Sequence, residues 1–206
     1  LGDGANSSVL GFAGIRFRDD SSREFLSAWV VINGARFSDS PDLVEAGKVI
    51  THELGHLIGL DHSQGLPENF SDASWGGEVP LMYPVISSST PDHPIHDDIA
   101  WVSWLYPTDE FAEQVQTSSI RGTVLRPSGV PLLGANVIAR RVVNGELSRE
   151  DITSGVSGFL MLEQGEFELP GLEPGDYAIC IEPLKSSFTG GSSIGPYDIR
   201  PVNFPR

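Results

Sequence analysis

The chain has 206 residues, a formal net charge of −15 and hydrophobic residues at 39% of its positions. This length allows two ordinary domains, and the composition is that of a folded soluble protein rather than a disordered one. The acidic balance argues against a nucleic-acid partner, whose phosphates require Lys and Arg, and no apolar stretch is long enough to cross a membrane.

The N-terminal part of the sequence predicts two strands followed by a helix. Residues 9–17 and 26–32 are rich in β-branched and aromatic residues and end at polar turns. Ser40 suits a helix N-cap and Pro41 the first helical position. Apolar residues then recur at helical spacing, and Gly59 ends the predicted helix.

The next region predicts a loop, a second helix and a linker. Residues 63–80 are rich in Gly, Asn, Asp and Ser and predict the loop. Residues 94–106 contain the second helix, with Asp97 and Asp98 in its first turn, where carboxylates complement the positive end of the helix dipole. Residues 107–118 contain few large apolar residues and predict the linker.

Beyond the linker, short apolar segments alternate with turns that contain Gly and Pro, a pattern typical of a small all-β sandwich. Cys180 lies in the last of these segments, where it fits a small buried hydrophobic residue better than a reactive thiol, and as the single cysteine it excludes an internal disulfide. The predicted strands are residues 119–125, 135–140, 158–162, 165–169 and 177–181.

The strongest chemical signal is the segment His-Glu-Leu-Gly-His-Leu-Ile-Gly-Leu-Asp-His at residues 52–62. Two histidines four residues apart on a helix lie about 40° apart around its axis, so His52 and His56 can bind one cation. Gly59 permits a sharp turn that brings His62 back as a third ligand, which leaves one coordination position for water, as in catalytic zinc sites. Glu53 projects beside the metal, which suits a general base.

The alternative is a surface helix that carries HExxH by chance, but the added glycine and third histidine make the motif far more specific. This extended motif is that of the metzincin zinc peptidases, and residues 8–107 resemble the matrixin branch of that family. The resemblance also rests on Ser63 after the third histidine, on Leu-Met-Tyr-Pro at residues 81–84, and on the pair Asp97 and Asp98. It implies an endopeptidase with one catalytic Zn²⁺.

The matrixin resemblance also implies where a substrate would lie. It places Met82 beneath the metal ligands without a bond to the metal. It implies that an extended peptide pairs with an edge strand that includes residues 11–15, and that Pro84 and Val85 form the wall of the main specificity pocket. The segment between His62 and Met82 is longer than in typical matrixins, so no substrate preference is implied.

Only two strands are predicted before the helix, so we expect the matrixin-like domain to be partial, with a further helix and strands before Leu1. Residues 1–206 alone would then unfold easily or bind a hydrophobic dye. We expect poor cover for the helix face formed by Val49, Ile50, Leu54 and Leu57.

The C-terminal part, residues 119–183, resembles the carboxypeptidase regulatory-like family, which has a transthyretin-like sandwich fold. No catalytic constellation is visible in it, so an accessory binding or spacing domain and a passive folding partner both stay open. The segments that carry this resemblance are residues 120–124, 129–137, 158–159 and 169–177.

Taken together, the sequence predicts an α+β chain with separate hydrophobic cores in its two domains. Residues 1–110 are predicted to form a partial metzincin-like zinc peptidase domain with a mixed twisted sheet, an active-site helix and a C-terminal helix. Residues 118–185 are predicted to form the carboxypeptidase regulatory-like β-sandwich, and residues 186–206 a tail.

The functional hypothesis is a secreted or extracellular zinc endopeptidase. It would hydrolyse peptide bonds in extended protein substrates with metal-activated water and Glu53 as general base. The first alternative is a zinc-binding but inactive adhesion or recognition module, and the second is a structural domain in which the β-sandwich is the functional part. The endopeptidase hypothesis implies a peptide or protein substrate as the partner, and the oligomeric state stays open.

Four further residues are weaker candidates for metal binding. His93 and His96 are read as ordinary loop residues at the start of the second helix, with additional metal ligation as the weaker alternative. Asp19 and Asp20 could offer carboxylates to Ca²⁺, but two acids in a turn are usually only solvated.

Overall fold

The computed structural model describes residues 9–19, 24–37, 43–67, 71–107, 118–158 and 165–184. Helices and strands occur together, so the α+β class is confirmed at that coarse level. The predicted cap at Ser40 and Pro41, nearly all of the predicted linker, most of the strand predicted at 158–162 and the predicted tail lie outside the described residues. The elements are β1 (Gly11–Asp19), β2 (Glu24–Ile32), α1 (Leu43–Leu57), α2 (Asp72–Trp75), α3 (His96–Leu105), β3 (Ser118–Thr123), β4 (Ala135–Val143), β5 (Glu146–Val156), β6 (Glu166–Leu172) and β7 (Tyr177–Pro183).

In the N-terminal part, α1 packs against an antiparallel pair of strands, β1 and β2. In the part of the chain that the structure describes, this sheet has only these two strands, so the predicted mixed sheet is not seen there. Val49 is buried on the packed face of α1, whereas Ile50 and Leu54 are 44% and 48% exposed. No helix among the described residues combines the length and the apolar character of a membrane span.

In the C-terminal part, all described elements are strands, arranged in two antiparallel sheets. One sheet has the order β3-β6 and the other the order β5-β4-β7. The two sheets share one core because alternate side chains of each strand point to the same side of its sheet. The buried residues of this core are Val124, Leu132, Ala135, Val137, Ala139, Phe167, Leu169 and Leu172.

Strand β5 is not predicted by the sequence analysis. Its first residues, Glu-Leu-Ser-Arg-Glu-Asp at 146–151, are mostly polar and show no apolar alternation, which is the signal for a strand. The strand forms because it pairs along its length with β4, and because α3 packs against β5 and β6. Helix α2 is also unpredicted, a single turn inside the expected loop that begins with a capping box between Ser71 and Ser74.

The expectation of two separate cores is wrong for one hydrophobic cluster. Leu66, Trp75, Val79 and Tyr83 from the N-terminal part pack with Ile138 of β4 and Ile152 of β5. The cluster forms because Ile138 and Ile152 lie on the face of the three-stranded sheet that points away from the sandwich core, and these side chains are covered by the N-terminal part. No described sheet contains strands of both parts, and the domain boundaries at 110 and 118 remain predictions.

Candidate metal centre

The end of α1 brings the third histidine back toward the first two. His52 and His56 lie one turn apart on α1. Gly59 then adopts a φ of +96°, a backbone conformation that costs little only for glycine. Its amide donates to the carbonyl of His56 at 3.1 Å, which closes the turn that places His62 beside the helix.

The Nε2 atoms of the three histidines converge. The Nε2 atom of His62 lies 3.2 Å from that of His52 and 3.2 Å from that of His56. Two nitrogen ligands of one tetrahedral zinc ion, each at 2.0–2.1 Å from it, lie about 3.3 Å apart. The structure therefore brings together the three histidines that the sequence singled out, as a group that could hold a metal ion.

Hydrogen bonds at the opposite ring nitrogens orient two of these imidazoles. The Nδ1 atom of His52 donates to the carbonyl of Leu81 at 2.7 Å, and that of His56 donates to the carbonyl of Leu60 at 2.9 Å. A proton on Nδ1 leaves a lone pair on Nε2, so both rings present acceptor atoms at the point of convergence. Metal-bound histidines have this same arrangement of outer hydrogen bonds.

Burial keeps two of the imidazoles neutral. Removal from water lowers the pKa of His52 to about 4 and that of His62 to about 3, because the charged ring loses its hydration. Neighbouring imidazoles of the group add to this effect. Both rings are thus in the uncharged form that a metal ion requires, and no proton has to leave them near neutral pH.

Asp98 holds the backbone to which His52 is bonded. Its carboxylate accepts the amides of Leu81 at 2.9 Å, Met82 at 3.0 Å and Ile95 at 2.9 Å. The side chain is buried, and burial raises its pKa although the three amide donors oppose this rise. A continuous path therefore runs from Asp98 through Leu81 to His52, a role that helix-dipole reasoning from the sequence missed.

Met82 packs against α1 at the level of the histidines. The side chain is 3% exposed, and a Cβ atom added at Gly55 would overlap its sulfur atom. Gly55 precedes His56, so the methionine occupies space that any other residue at position 55 would fill. The expected position of Met82 beneath the metal ligands stays a prediction.

Glu53 follows His52 on α1 and carries a buried carboxylate. It is 4% exposed, and its Oε2 atom has no hydrogen-bond partner among the described residues. Burial raises the pKa of Glu53 to about 7. Its other oxygen, Oε1, lies against Gly11 of β1. A Cβ atom added at Gly11 would be only 2.8 Å from it. Such a carboxylate can take up and release a proton near neutral pH.

Other residues named by the sequence analysis lie elsewhere. His93 is exposed and pairs with Asp92 at 3.0 Å, and His96 begins α3; neither belongs to the three-histidine group. Val85 is 49% exposed, and its assignment to a specificity pocket stays a prediction, as does that of Pro84. Cys180 is a half-buried free thiol that packs against the cluster shared by the two parts, while the side chain of Asp19 and the whole of Asp20 lie outside the described residues.

No protein family, curated protein or solved structure matched the chain when it was compared with each of these.

Proposed function

We propose that the chain is a zinc-dependent endopeptidase, with one Zn²⁺ held by His52, His56 and His62 and with Glu53 as the general base. The observation that supports this best is the convergence of the three Nε2 atoms. Glu53, the residue after His52 on α1, adds a buried carboxylate whose Oε2 atom has no hydrogen-bond partner among the described residues. Three imidazoles suit zinc, and a site with three protein ligands leaves a position open for chemistry. A purely structural site has no use for the adjacent carboxylate.

The chain's own residues would perform the proton transfers. A zinc ion held there would supply Lewis-acid polarisation of a peptide carbonyl and would acidify a water molecule. Glu53 accepts the proton of the attacking water and then returns it to the leaving amine. A pKa of about 7 suits both steps, because neither protonation state of Glu53 is strongly favoured near neutral pH.

Strand β1 offers an edge for an extended substrate. Among the described residues, β1 has one hydrogen-bonded neighbour, β2. The backbone N–H and C=O groups on its other edge could therefore pair with a peptide. Gly11 lies on this strand against the carboxylate of Glu53. A peptide added to that edge would pass the base with its backbone extended, and the edge is therefore the proposed substrate-binding strand.

Metal removal tests the proposed function directly. We expect the chain to hydrolyse an unfolded protein substrate such as casein, to lose this activity with 1,10-phenanthroline, and to regain it on addition of one equivalent of zinc. The non-chelating isomer 1,7-phenanthroline is the control. Hydrolysis that survives chelation would contradict the zinc mechanism, and a zinc-loaded chain without hydrolysis would favour the inactive binding module.

Gly11→Ala is expected to lower kcat about 100-fold, because the added methyl group would displace the Glu53 carboxylate and small misplacements of catalytic groups have effects of this size. Zinc content should stay at one ion per chain. Gly34→Ala is the matched control, since an added Cβ there meets nothing within 4 Å. Equal kcat values for the two variants would show that Gly11 does not position Glu53.

A further inference from the structure

A serine of the C-terminal part is bonded to the segment that carries the third histidine. Ser154 lies in β5 and is 2% exposed. Its hydroxyl accepts the amide of Gln64 at 3.0 Å and donates to Oδ2 of Asp97 at 3.1 Å. Its own amide donates to Oδ1 of Asp97 at 2.6 Å. One residue of the sheet thus holds both α3 and the segment that follows His62.

Asp97 continues this network to the residue next to His62. The hydroxyl of Ser63 donates to Oδ2 of Asp97, and the amide of Ser63 donates to the carbonyl of Met82 at 2.8 Å. A second bond from the sheet reaches the same segment, because the side-chain amide of Asn136 in β4 donates to the carbonyl of Gln64 at 3.3 Å. These groups are buried, so water could not easily replace one of these hydrogen bonds if a substitution removed it.

A cavity next to His62 gives this hydrogen-bond network a role in holding the ligand. A cavity of about 70 Å³ lies between α3, the segment at 59–64 and β5, and His62, Trp101 and Val156 are among the residues that line it. A side chain beside a cavity can move into it, whereas a metal ligand must be held within about 0.5 Å of its working position. Packing alone therefore leaves His62 room to move, and the hydrogen bonds at Ser63 and Gln64 restrict it.

We propose that Ser154 is a positioning residue for the metal centre, through which the C-terminal sheet holds His62 in place by way of Gln64, Asp97 and Ser63. The inference rests on the proposed zinc centre. It gives the C-terminal part a defined role in that centre, in place of a passive packing partner.

The test compares Ser154→Ala with Ser157→Ala. Ser157 is also a buried serine of this part, and its hydroxyl forms two hydrogen bonds. It accepts the amide of Ala135 at 2.9 Å and donates to the carbonyl of Leu132 at 2.6 Å, and neither bond reaches the metal centre. Zinc affinity is measured by competition with a chromophoric chelator, ligand geometry by the visible spectrum of the Co²⁺ form, and stability by thermal unfolding without metal.

We expect both variants to unfold at lower temperature than the parent chain. Ser154→Ala should weaken zinc binding about tenfold, the size seen when partners outside the ligand set are removed, and should alter the Co²⁺ spectrum. Ser157→Ala should change neither. Parental zinc affinity and an unchanged Co²⁺ spectrum in Ser154→Ala would overturn the proposal.

Ser63→Ala is the second variant, used if Ser154→Ala does not fold. It removes the hydrogen bond from Ser63 to Asp97, which belongs to the same network and lies next to His62. Zinc affinity equal to that of the parent in Ser63→Ala would also overturn the proposal. A parent chain that binds no zinc would instead refute the metal centre itself, a result that is seen before any variant is compared.

Discussion

Replacement of Glu53 by Gln is expected to abolish peptide hydrolysis while zinc content stays near one ion per chain. Glutamine has the shape of glutamate but cannot accept a proton, and general-base catalysis contributes about 10²–10⁴-fold to a rate. The carboxylate is buried and does not belong to the three-histidine group, so its loss should affect the proton transfer and leave the ligands in place. The measurements are kcat/KM on a fluorogenic peptide and zinc by mass spectrometry.

Glu45→Gln is the matched control for this variant. Glu45 lies on the same helix, in its first turn, and is exposed, so the same chemical change there should leave kcat/KM within about twofold of the parent. If Glu53→Gln kept parental activity, the base would be another residue. If it lost zinc, Glu53 would be part of the metal site itself.

Replacement of Asp98 by Asn is expected to weaken both the fold and the metal centre. The carboxylate accepts hydrogen bonds from three backbone N–H groups. The NH₂ group of an asparagine cannot accept a hydrogen bond and would face at least one of these donors. Hydrogen bonds to buried charged groups contribute about 1.5–3 kcal/mol each, so we expect a loss of about 2–4 kcal/mol in the free energy of unfolding. Since Asp98 holds Leu81, which orients His52, zinc affinity should fall about 10–100-fold.

Two measurements separate these effects. Denaturant unfolding of the metal-free chain reports the stability, and zinc titration at a temperature where the variant is folded reports the affinity. Asp92→Asn is the control, because Asp92 is an exposed acid of the segment before α3 and forms its ion pair with the exposed His93. If Asp98→Asn lost stability but bound zinc like the parent, the path through Leu81 would not influence His52.

The sequence was most informative where the chemistry is local. His52 and His56 share a helix whose apolar spacing is visible in the sequence, and Gly59 and His62 follow three and six residues after His56. Ligand geometry in such a segment depends on helical periodicity and on one positive φ, and both can be read from residue type. The three-histidine group was therefore predictable without knowledge of the rest of the chain.

Residues that act across the chain could not be predicted in this way. Asp98 and Leu81 are 17 positions apart, and Ser154 is 57 positions from Asp97. No periodic pattern connects such pairs, since only the packing of α3 against the other elements brings them together. β5 itself was missed because its first six residues are mostly polar and mostly exposed, and the strand forms through its pairing with β4.

The sequence by itself determined which residues can bind a metal ion and which carboxylate stands beside them, because these features lie within eleven consecutive residues, 52–62. Only the tertiary structure decided that Glu53 is buried with a raised pKa. It also decided that Asp98 holds Leu81, which orients His52, and that Ser154 holds the segment after His62. It also decided that the two parts share a hydrophobic cluster. Burial and long-range hydrogen bonds depend on how elements pack, and a residue's neighbours in sequence do not specify this.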